Sequence, residues 1–349
     1  VIFGYPVTYP EDACERLVTD GATARRLVAE RSPQLLELLA HRRERFAPLL
    51  EQNPNAPVQQ AEDAILLAFC RLAYRHGSWG QDFHHYHNEG HIFEILGSRL
   101  ERLIDTIGLQ TLPLRDWFLL TLFAAAHDLR QREIPEFTAG IGSNERASIE
   151  ETFRILRACG FSQDSHADVY FGIELMIAGS TFDARPPPKA REYNSAEVVV
   201  QSGGALAQKL EIKLDKYAPN WRSDAHIWHA LGLAQIAADL DTANVAEPFP
   251  LFMASAERLC LEREMRSHRD PASAEAAQPM LSFFTTGQEH YFFDLHRFNS
   301  AYGRATFAPA KEANTELVRQ VINDMRAIAP PQTGDDVLRA FRALVAKYS

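Results

Sequence analysis

The chain has 349 residues, 46% hydrophobic and 23% charged, with a formal net charge of −10. That composition gives a soluble globular chain with a large core, and it excludes the global basic footprint that drives nucleic-acid binding. The acidity also disfavours an anionic substrate at long range, so a phosphate ester would need cationic charge supplied locally, with a bound metal as the obvious source.

Helical signals dominate in chain order. Residues Asp20 to Glu51 carry Leu27, Val28, Leu35, Leu36, Leu39, Leu49 and Leu50 at mixed three- and four-residue spacing, which predicts two helices broken near Ser32-Pro33. The polar, proline-bearing stretch Glu51 to Pro57 reads as a linker, dividing an N-terminal helical lead-in (1–57) from a main domain (58–349). Within that domain the pattern predicts helices over Ala61–Tyr74, Asn88–Ile104, Leu114–Leu129, Asn144–Ala158 and Ser165–Ala178. Further helices are expected over Trp221–Leu240, Ala254–Met265, Thr315–Ile328 and Asp335–Lys347. Only Glu197–Gln201 is ambiguous between helix and strand, and Phe182–Arg191 and Arg266–Pro279 read as loops. The expected fold class is all-α. The four cysteines are far apart and form no CxxC pair, which fits a reducing cytoplasm better than a disulfide framework. The longest apolar run, Trp117–Ala126, is about half of the ~20 residues a membrane span requires.

Three stretches carry chemistry. His84, His85, His87 and His91 fall within eight residues at the start of a predicted helix. The apolar helix ending in His127-Asp128 delivers two polar groups to the edge of a core, where charge is costly unless paired or metal-bound. A third apolar helix, Leu233 onward, ends in Asp239-Leu240-Asp241; Asp239 follows Ile236 by three positions and is expected inward, with Asp241 turned away. His91, His127, Asp128 and Asp239 together make a His₂Asp₂ ligand set. Such ligands suit Mn, Fe, Zn, Co or Ni, and carboxylates with waters suit Mg, with one or two ions accommodated. A metal ion acidifies bound water toward neutrality and so furnishes a nucleophile.

The ordered set His91, His127-Asp128, Asp239 resembles the H…HD…D signature of the HD superfamily of metal-dependent phosphohydrolases. Tyr86-His87-Asn88-x-x-His91 and Ala238-Asp239-Leu240 are similar to motifs of its class I cyclic-nucleotide phosphodiesterase branch. The resemblance spans roughly Phe83 to Asp241. It implies an HD-type helical bundle hydrolysing a small phosphate ester, such as a nucleotide, with His87 as proton donor to the leaving oxygen. It also assigns Glu145, in Asn144-Glu145-x-x-Ser148, to the neighbourhood of the metal water, and Asn88, Asn144 and Gln288 to the substrate. Two departures stand out: Gln131 occupies the position of a further histidine, and Gln288 with Tyr291 or Phe292 matches the nucleotide-clamping pattern only loosely. Glu94 could orient a ligand histidine, Asn144 could instead cap its helix, and Arg130, Arg132 and Arg191 are candidate phosphate contacts or surface charges. The alternatives are a cyclic-nucleotide phosphodiesterase, a metal- or ligand-binding sensor without turnover, and a di-iron oxygenase using His84, His85 and His226. A homo-oligomer is left open.

Overall fold

A computed structural model describes residues 9–131, 142–183 and 204–349. The fold is all-α; among the described residues the β pairing is a two-residue antiparallel match of Phe182–Asp183 with Gly204–Ala205. The chain forms two compact units: the residues up to Phe83 with His87–Asp241, and His84–Tyr86 with Thr242–Ser349. The division therefore falls after Asp241 rather than at the proline-bearing linker expected at 51–57.

In the first unit, α1 (Ala13–Leu17) and α2 (Gly21–Arg31) lead to α3 (Pro33–Arg45) and α4 (Ala47–Gln52). The break at Ser32 is as expected: Pro33 opens α3 at the position where its missing N–H costs nothing. Asp20 caps α2 by accepting from Thr23 N at 2.8 Å. This lead-in is part of the unit because α2 packs on α5 (Val58–Arg75), with Leu27 and Val28 buried and Arg25 bound to Asp63 at 2.9 Å. Helix α5 in turn packs on α8 (Leu114–Ala126), whose residues are buried almost all round. Between them in sequence, α6 (Glu89–Glu94) runs through a π turn (Ile95–Arg99) into α7 (Leu100–Ile107). Helices α9 (Ser143–Ala158) and α10 (Ala167–Ser180) pair with each other, and α10 also packs on α8. Helix α11 (Leu210–Tyr217) was not signalled by periodicity; α12 (Ala225–Thr242) carries the unit to its end.

The second unit holds α13 (Phe249–Arg266), α14 (Ala274–Ser282) with π turns at Phe283–Gly287 and His290–Leu295, α15 (Ala301–Arg326) and α16 (Gly334–Tyr348). Its core includes Phe284 stacked on Phe341 at 4.0 Å and Phe252 on Phe292 at 5.7 Å. The loop expected over 266–279 is shorter, since α14 starts at Ala274 and runs through Pro279; α15 likewise runs through Pro309, starting well before the expected Thr315. The ambiguous segment 197–201 lies outside the described residues. No helix among the described residues is long and apolar enough to cross a membrane.

Candidate metal centre

Three helix ends in the first unit converge. Asn88 caps α6 by accepting from Gly90 N at 2.8 Å, which fixes His91 in the first turn with its side chain buried. Helix α8 ends at Ala126, three residues earlier than periodicity suggested, so His127 is its C-cap and Asp128 follows immediately. Helix α12 supplies an aspartate from its last turn.

Among the described contacts that aspartate is Asp241, which the helical pattern turns away, rather than the expected Asp239. Asp241 Oδ1 lies 3.1 Å from His91 Nε2 and 3.3 Å from His127 Nε2. Asp128 Oδ2 lies 3.1 Å from His127 Nε2 and 3.9 Å from His91 Nε2. Asp239 is fully buried two positions earlier, about 200° around the helix from Asp241. An inward face does not choose between them, because α12 is buried on nearly every side along Ala230–Leu240 and its apolar pattern defines no single inward direction.

The arrangement has the marks of a cation site. His127 Nδ1 lies 3.1 Å from Phe123 O, an acceptor, so Nδ1 carries the proton and Nε2 is the atom turned to the carboxylates. Yet buried His127 Nε2 and Asp128 Oδ2 have no hydrogen-bond partner. Both are aimed at shared space rather than along a mutual N–H···O line. Atoms about 2.1 Å from one ion lie roughly 3.0–3.4 Å from one another in tetrahedral or octahedral geometry, which is the spacing three of these pairs show. His91, His127 and Asp128 could hold a metal ion; Asp241 lies beside them, against His91 and His127.

Electrostatics agree. Burial opposes charging of His127, but the Asp128 and Asp241 carboxylates outweigh it and raise its pKa well above the ordinary 6.5. Burial likewise works against ionised Asp128 and Asp241, yet the surrounding imidazoles hold both carboxyls below their usual range. Two anions demanding a positive charge between them are satisfied by a proton or by a metal.

A second layer holds these side chains. Gln131, standing where a histidine was expected by resemblance, donates from Nε2 to Asp128 Oδ1 at 2.6 Å, leaving Oδ2 to the imidazoles. Asn144 donates to Gln131 O at 3.2 Å. Asn144 is not the cap of α9: the helix starts at Ser143 after Gly142, whose left-handed φ of 93° glycine takes at little cost. Glu94 Oε2 lies 3.8 Å from His91 Nδ1 and accepts from Arg99 Nη2 at 3.3 Å. Fully buried Arg99 also donates to Leu240 O at 3.1 Å and Asp241 O at 2.6 Å, tying the end of α12 to α6. Nothing in the sequence signalled Arg99; its place follows from the π turn, which no propensity reading detects.

The other candidates divide. His87 precedes α6 yet packs its ring edge-on to His91 at 6.3 Å, and its charge acts on Asp128. Glu145 is in the first turn of α9, close enough to Lys213 to influence its ionisation. Arg130 is neither a phosphate contact nor a surface charge; it is buried and bound to Glu15 at 3.1 Å and Glu151 at 3.3 Å. Arg132 and Arg191 lie outside the described residues. Of the histidines invoked for a di-iron site, His84 binds Glu262 at 3.2 Å within the second unit. His226 is exposed and 15 residues before Asp241 on α12, about 22 Å along the axis. Gln288, Tyr291 and Phe292 belong to the second unit; Gln288 is buried, Tyr291 Oη is 3.4 Å from Asn244 Oδ1, and Phe292 is core.

A scan against protein-family models finds no match, and neither does a search of curated proteins.

Proposed function

We propose that this chain is a metal-dependent phosphoric ester hydrolase of the HD type, with His91, His127, Asp128 and Asp241 as ligands. The observation that carries the reading is the pair of buried atoms, His127 Nε2 and Asp128 Oδ2, 3.1 Å apart and neither making a hydrogen bond. An imidazole–carboxylate set of this kind suits a transition metal, which when bound would acidify water and polarise a phosphoryl oxygen.

The chain's own residues supply the rest. Gln131 fixes which oxygen of Asp128 faces the imidazoles. The hydrogen bond to Phe123 O fixes His127 with Nε2 forward. His87 is partly exposed beside His91, so it can meet a substrate and protonate a departing oxygen, as an alkoxide leaving group requires near neutral pH. Asn88 spends its side-chain oxygen on capping α6, which makes its role one of orienting His87 and His91. The substrate is a small phosphate ester, with the metal supplying the cationic charge that the acidic chain lacks.

The test is hydrolysis of a generic phosphodiester and a generic phosphomonoester with added manganese, alongside metal content. Metal-stimulated turnover that disappears in both His127→Ala and Asp128→Ala is expected. Absence of bound metal and of metal-stimulated turnover in the unaltered chain would sink the reading; bound metal without turnover on either ester would favour a sensor.

A further inference from the structure

A cavity of about 550 Å³ opens in the first unit between α5, α8, the end of α9 and the start of α10, under the loop that follows α4. None of the four proposed ligands lines it. Its α8 lining is Leu114, Arg115, Phe118, Leu119 and Leu122, a single helical face, whereas His127 lies about 150° around the helix from that face. Phe118 and His127 are also about 13 Å apart along the axis. The cavity is thus a separate site, on the other side of the helix that presents His127.

Its size falls within the range that takes a small organic ligand, and its make-up is that of such a site: an apolar body with a few polar groups. Ala64, Leu119, Leu122, Leu156, Phe161 and Val169 form the apolar part. These polar groups do not make a cationic mouth. The cavity's one arginine, Arg115, is bound to Asp168, which also lines it, so its charge is already answered. His166 turns Nδ1 to Ser162 O at 3.2 Å and rests its ring against Phe161 at 5.2 Å. What remains for a ligand is neutral hydrogen-bonding chemistry: the amides of Gln52, Asn53 and Asn55 and the Ser165 hydroxyl, whose oxygen also lies 3.2 Å from His166 Nδ1. Asn53 uses its Nδ2 on Leu49 O at 2.8 Å, which turns its amide oxygen to acceptor duty.

We propose that this cavity binds an uncharged amphiphile, a hydrocarbon body ending in a hydroxyl or carbonyl group. An anionic head would meet Asp168, with only an arginine already held by that carboxylate in return. An uncharged head loses little on leaving water and can bond to the amides and to Ser165. The inference does not depend on the chemistry proposed for the metal centre.

The experiment is a calorimetric titration of the whole chain with decanol and, separately, with decanoate, which share a chain length and differ in head charge. Decanol is expected to bind at one site per chain and to raise the unfolding temperature, with decanoate about ten-fold weaker or worse, a difference of about 1.4 kcal/mol. Two variants fill the cavity from different sides: Ala61→Phe from partly exposed α5, and Ser165→Trp from the exposed rim. Circular dichroism selects those that fold, and loss of decanol binding in a folded variant supports the site. Absence of decanol binding to the unaltered chain up to its solubility limit would overturn the proposal. So would undiminished binding in both folded variants, and decanoate binding more tightly than decanol would overturn the ligand class.

Discussion

Asp128 and Arg130 are two residues apart, yet they belong to buried charge clusters of different kinds. Around Arg130, Glu15 is met by Arg71 at 3.2 Å, Arg130 at 3.1 Å and Arg154 at 2.7 Å, and Glu151 by Arg75 at 3.0 Å. Asp12 accepts from Arg75 at 2.6 Å. There each carboxylate faces a guanidinium fork, the geometry in which buried charge is held by direct hydrogen bonds. Around Asp128 the carboxylates face imidazoles instead, and His127 Nε2 and Asp128 Oδ2 are left without a hydrogen-bond partner. Burial alone therefore does not separate structure from function; what separates them is whether the charges satisfy one another. The first cluster ties α1, α5 and α9 together, and the second could hold a metal ion.

The sharpest way to break that comparison is to remove a carboxylate from each cluster. Asp241→Asn should lower metal affinity by more than about a hundred-fold, the upper end of what losing an indirect partner costs a metal site. Asp239→Asn should leave metal stoichiometry intact and act on stability instead. Equal metal loss in both, measured by titration, would return the ligand role to Asp239. In the other cluster, Glu15→Ala takes the carboxylate from Arg154 and leaves Arg71 and Arg130 only their longer contacts to Glu151, and should destabilise the fold by about 3 kcal/mol with metal stoichiometry unchanged. Denaturant unfolding and metal content together read both effects.

These residues also mark how far the sequence could be read. The all-α class, the break at Ser32 and most helices followed from apolar periodicity, because amphipathic helices write their buried face into the chain. His91, His127 and Asp128 were legible because each is polar at the edge of an apolar stretch. Asp241 was not, since α12 is buried nearly all round and its rotation is set by packing. The two-unit division was hidden for a related reason: the linker at 51–57 is polar, but Leu27 and Val28 of α2 are buried on the far side of it. Arg130 looked like a free charge because its partners, Glu15 and Glu151, are 115 and 21 residues away.

Smaller effects should come from the residues behind the ligands. Arg99→Lys keeps the charge but loses the fork that reaches Leu240 O, Asp241 O and Glu94 together. Metal affinity should fall by about ten- to a hundred-fold. Gln131→Leu removes one donor, from Asp128 Oδ1, and about ten-fold is expected. If either change moved the unfolding temperature and not the metal affinity, that residue would belong with the structural cluster.

The least drastic probe is pH. Without metal, the raised pKa of His127 means that its imidazolium pairing with Asp128 and Asp241 is fully present below the ordinary value of 6.5. That stabilisation is lost as pH rises through the raised value. A metal ion takes the place of the same proton, so binding near neutrality should release about one proton per ion, and affinity should climb with pH until the raised value is passed. Titrations in buffers of different ionisation enthalpy count that proton directly. Metal binding with no proton release would mean that the ion sits elsewhere and that His127 and the carboxylates satisfy one another after all, as Glu15 and its arginines do.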